Sequence, residues 1–135
     1  MTGRPLLAAA GSIATLLWAA VAVAHHSFNA EYDRDRPVTL TGTVTQLEWT
    51  NPHARLYIDA PNDAGEIINW DLELGPPNGL MRMGWRRDSL VPGTVVTVSG
   101  FRHKTADNIA NARTVKLADG REVFAGSSFD TTSTE

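Results

Sequence analysis

The chain has 135 residues, with 12 Lys and Arg against 15 Asp and Glu and no cysteine. The missing cysteine excludes a disulfide framework, a thiolate metal site, a catalytic thiol and a lipobox anchor. A formal net charge of −3 lacks the basic footprint of a general nucleic-acid binder.

Residues 1–24 read as a signal peptide. Arg4 supplies the positive n-region, the apolar run from Pro5 to Ala24 the h-region, and Ala22-Val23-Ala24 the small-residue cleavage pattern. Export by this leader predicts a periplasmic protein whose first mature residue is His25. Arg4 is the only charge removed, so 11 basic and 15 acidic residues remain. The remainder is the size of one ordinary domain with a modest core. After residue 24 no stretch approaches the ~18 apolar residues that a membrane span needs.

Residues 25–37 are polar and charged and read as an extended arm. Val38 to Trp49 is rich in Thr and Val, the composition of a strand. Val38, Leu40 and Val44 share one parity, and Leu47 and Trp49 the other, which predicts a β-bulge in a long curved strand near Gly42. Asn51-Pro52 marks a turn. His53 to Ala60 is a second strand with Leu56 and Ile58 on one face. Residues 61–65 are a hairpin turn by composition. Glu66 to Leu74 alternates, with Ile68, Trp70, Leu72 and Leu74 facing inward. Asn78 is placed to cap a short helix over Gly79 to Arg87. Strands then follow over Thr94 to Phe101, Ile109 to Leu117 and Arg121 to Phe124, the last two joined by a tight Asp119-Gly120 turn. Residues 126–135 form a Ser/Thr-rich flexible tail. Three strands, a short helix and two or three more strands predict an all-β domain over residues 38–125. Its expected form is a five- to six-stranded oligonucleotide/oligosaccharide-binding (OB)-like barrel, which would protect its strand edges.

Several segments resemble an uncharacterised family of small exported bacterial proteins, labelled a domain of unknown function. They are His25-His26-Ser27-Phe28, Val38-Thr39-Leu40-Thr41-Gly42-Thr43-Val44, Trp49-Thr50-Asn51-Pro52-His53-Ala54, Gly84-Trp85 with Arg87-Asp88-Ser89-Leu90, and Asn111-Ala112-Arg113. The resemblance implies a compartment and a fold, and no activity. Arg55 stands where the family pattern suggests an apolar or aromatic residue.

The candidate metal ligands are His25, His26, His53 and His103. An N-terminal His25 would offer an amine and Nδ1 to one ion, and a second imidazole would complete a histidine brace. Nitrogen-rich tetragonal geometry suits Cu(II). The candidate organic-ligand residues are Trp49 and Tyr57, on the strands that form the usual OB ligand face. Asp71 and Glu73 are paired acids on one strand face, a common pattern on exposed sheets. The chain has no Gly-rich phosphate loop, nucleophile elbow or His-Glu-x-x-His helix. A domain this small also offers little substrate platform for a brace-type oxidase. The sequence therefore points to a binding module rather than an enzyme. It would hold copper or another transition metal or, without metal, a glycan, peptide or envelope protein.

Overall fold

The computed structural model describes residues 28–126. The leader (1–24), His25, His26 and residues 127–135 of the tail lie outside the described residues. Residues 28–31 are helical. Six strands follow in the order β1 (Tyr32–Glu48), β2 (Arg55–Pro61), β3 (Ile67–Glu73), β4 (Val95–His103), β5 (Ile109–Leu117) and β6 (Glu122–Phe124), with helix α1 (Pro77–Arg82) between β3 and β4.

The sheet order is β3-β2-β1-β4-β5-β6. These neighbours pair antiparallel, and β3 also pairs with β5 in parallel through Asp71↔Ile109, Leu72↔Ala110 and Glu73↔Asn111. Strands β1 to β5 thus each have a partner on both sides for at least part of their length, which shortens the edges left open.

The expected bulge in β1 is present. Val44 faces Ile58 and Gln46 faces Tyr57, so Thr45 is the extra residue. The shift turns Val44 and Leu47 to the same interior, where Val44 is buried and Leu47 packs against the core. Two glycines allow the strands to approach. A Cβ on Gly42 would overlap the Asp59 carbonyl oxygen, and one on Gly100 the Asn111 carbonyl oxygen. The core is built from the inward rows, including Leu56 and Ile58 of β2, Trp70 and Leu72 of β3, Val96 and Val98 of β4, and Ala110, Ala112 and Val115 of β5. Burial of the Leu, Ile and Val side chains among them contributes about 1.5–3 kcal/mol each.

Most strand ends lie within two residues of the sequence reading, β2 for instance starting at Arg55 and not at His53; the start of β1 and the bounds of the helix differ for physical reasons. β1 starts at Tyr32, inside the segment read as an arm. Its charged residues lie where β1 bulges away from β4, between Tyr32 and Pro37, so their polarity masks a strand. Helix α1 starts at Pro77 and not after Asn78, because a proline in the first turn presets φ and needs no donor. It ends by Met83, and Gly84 follows at φ +93°, the left-handed stop that glycine permits. Asn78 therefore lies within the helix and makes no cap.

Candidate functional site

Alternation points Arg55 and Tyr57 of β2 away from the core, and likewise Asp71 and Glu73 of β3. The register then sets Arg55 opposite Glu73 and Tyr57 opposite Asp71. Arg55 reaches diagonally to Asp71, donating from Nε to Oδ1 at 2.7 Å and from Nη2 to Oδ2 at 2.9 Å. This is a bidentate fork, the strong form of a carboxylate pair. Its Nη1 also lies 3.7 Å from Glu73 Oε2.

Glu73 is the hub. Its side chain is 14% exposed. Oε2 accepts a hydrogen bond from the Tyr32 hydroxyl at 3.0 Å, and Oε1 lies 3.6 Å from His53 Nδ1. Tyr32 opens β1, is buried, and pairs with His103 of β4. The two rings meet edge to face, with centroids 5.6 Å apart. His53 thus adjoins the carboxylate of this tyrosine–carboxylate unit, and His103 its tyrosine ring.

The environment sets the ionisation of these groups. Burial first, and then the charge and hydrogen bond of Glu73, hold the Tyr32 phenol well above the ordinary tyrosine value. It is a neutral donor at any physiological pH. The bond to Asp71 outweighs burial and keeps the Arg55 guanidinium charged. Burial, followed by the Asp71 charge and the bond to Glu48, raises the Tyr57 phenol.

The two histidines differ in what they can offer. His103 Nδ1 accepts the backbone N–H groups of Thr105 and Ala106, at 3.2 and 2.9 Å. In the neutral ring its proton then sits on Nε2. The His53 side chain is 39% exposed, with Nδ1 turned to Glu73. A ligating histidine characteristically carries such a carboxylate behind its second nitrogen. Among the described residues there is no group of three His, Asp or Glu side chains placed to hold a metal. His25 and His26 lie outside the described residues.

Trp49 is half-buried and packs against the core. Tyr57 is half-exposed on the outer face, and its hydroxyl donates to Glu48 Oε2 at 3.2 Å. Asn111 lies opposite Glu73 in the β3–β5 register. It is 5% exposed, and its Oδ1 has no hydrogen-bond partner among the described residues. Such an orphaned acceptor is rare in a protein interior.

Sequence reading did not assemble Tyr32, Arg55, Asp71 and Glu73 into a site. The signal was present in the opposite charges on the outward positions of two strands joined by a short hairpin. Tyr32 carried no comparable signal.

Residues 14–111 match a family described as a family of unknown function (DUF6152). No curated protein and no solved structure matches the chain.

Proposed function

The chain belongs to this family of unknown function, and from the site itself we propose that it is an exported, periplasmic binding module that holds a transition metal, copper above all. The single observation that carries the reading is the sharing of Glu73. One carboxylate binds the residue that opens β1 and also stands behind the imidazole of His53. In this reading His53 Nε2 is one ligand. The amine and Nδ1 of a processed His25 are the others, with His26 as the neighbouring imidazole. His25 precedes Tyr32 by seven residues, a span of at most about 25 Å when fully extended. His103 serves from outside the metal by packing on Tyr32. The expected fold around the site is an OB-like barrel. The double pairing of β1, the parallel β3–β5 contact and the helix between β3 and β4 support it.

The test is intact-mass analysis of protein exported by its own leader, followed by Cu(II) titration read by EPR. A mass beginning at His25 and a stoichiometric nitrogen-ligated signal are expected. One residue added before His25 abolishes the signal, His53→Ala weakens it and Glu73→Gln shifts it. Cleavage elsewhere, or only weak binding indifferent to all three changes, overturns the metal reading.

The half-exposed Tyr57 on the same outer face favours a second, metal-free reading. There the face including Trp49 and Tyr57 binds a glycan, a peptide or an envelope protein. Tyr57→Ala would then abolish ligand capture while chelators leave it intact.

A further inference from the structure

A second site lies away from this outer face, where the interior of the sheet opens beside the β2–β3 hairpin. A cleft of about 310 Å³ is floored by Val38, Ile68 and Trp70 and rimmed by Asp63, Arg102 and Asn108. That volume is at the lower end of the range for small-molecule sites. Arg102 pairs in register with Ala110, a core residue, so its side chain shares the inward face. Its guanidinium lies 4.9 Å from the centre of the Trp70 ring.

This arrangement is unusual for a half-buried arginine. Among the described residues no carboxylate lies within ion-pair distance of Arg102, and no protein acceptor takes its N–H groups. Arg55 and Arg121, by contrast, each bond an aspartate. Trp70 attracts the guanidinium by a cation–π contact but satisfies none of its five donors. Arg102 lines the cleft with that hydrogen-bonding capacity unused by any described residue.

We propose that this cleft binds a small organic carboxylate with an apolar body, the carboxylate on Arg102 and the body against Val38 and Ile68. A planar guanidinium matches a carboxylate in bidentate fashion. Asp63 lines the same cleft and adds a negative charge to it. The cleft therefore favours a single negative charge over a phosphate dianion. The apolar floor favours a hydrocarbon or aromatic body over a fully hydroxylated one.

Sodium benzoate, benzyl alcohol and inorganic phosphate serve as probes, titrated into the purified chain and followed by amide and arginine Nε–H chemical shifts. Benzoate produces saturable shifts centred on Arg102 and Asn108, and the other two do not. Arg102→Gln lowers benzoate affinity at least about tenfold, and Arg102→Lys, which keeps the charge without the fork, lowers it less. Asp63→Asn, a rim change that leaves the core untouched, raises it about threefold. This variant decides the matter even where Arg102→Gln fails to fold. No saturable shift by about 10 mM benzoate, unchanged affinity in Arg102→Gln, or no gain in Asp63→Asn overturns the proposal. Phosphate binding as tight as benzoate overturns the ligand class.

Discussion

Two stretches of the same outer surface use cross-strand polar pairs to opposite ends. Across β1 and β4, the hydroxyls of Thr39 and Ser99 lie 3.3 Å apart and those of Thr41 and Thr97 2.9 Å apart, all near solvent. Across β2 and β3, Arg55, Asp71 and Glu73 are only 29, 27 and 14% exposed, and Tyr32 is drawn in with them. In the first stretch water can replace any lost partner. In the second, each group has surrendered hydration and depends on the others. Holding charge out of water is costly, and the sheet does so in the second stretch and not in the first.

The sharpest way to break the contrast is Glu73→Ala. It strips the acceptor from Tyr32 and the carboxylate from His53, and destabilises the fold by about 2–4 kcal/mol in urea titration. Glu73→Gln, which keeps an acceptor, costs less. A loss under about 0.5 kcal/mol for Glu73→Ala would make the cluster ordinary surface. Tyr32→Phe comes next, at about 1–2 kcal/mol near neutral pH. It also carries a pH signature. The unfolded chain releases the phenolic proton near the ordinary tyrosine value of 10.0, while the folded chain retains it well above that. The folded state thus binds more protons, and stability falls by about 1.4 kcal/mol per pH unit as pH rises above 10. Tyr32→Phe flattens that alkaline slope, and an unchanged slope would assign it to another group. Arg55→Lys preserves charge without the fork and costs about 1 kcal/mol. Thr41→Val, on the hydroxyl side, stays within about 0.5 kcal/mol of the parent by chemical denaturation. A larger loss would show that the two stretches are built alike after all.

Much of the architecture was legible because it rests on period and punctuation. β5 coincides with its expected span, Ile109–Leu117. The parity switch in β1 located the bulge, and the alternation of β3 put Trp70 inside. What escaped depends on register between distant segments. No local pattern brings Tyr32 to Glu73, 41 residues later. Charged neighbours made Tyr32 look like part of a solvated arm. Arg55 stood out as an oddity in an apolar context. Its reason is Asp71, visible only once the β2–β3 hairpin is folded. Likewise, a sequence with Asp71 and Glu73 at alternate positions cannot say that one serves an arginine and the other a tyrosine and a histidine.

The extra residue at Thr45 sets the reading frame of the sheet. From Val38 to Val44 the even-numbered positions of β1 face the interior; beyond Thr45 the odd-numbered Leu47 does. A chain shortened by that one residue could keep Val44 inside or Leu47 inside, with β2 shifted accordingly, but not both in the present alignment. Because Tyr32 and His53 lie on opposite sides of this frame shift, a one-residue deletion there would separate two groups that now meet on a single carboxylate, without altering either of them.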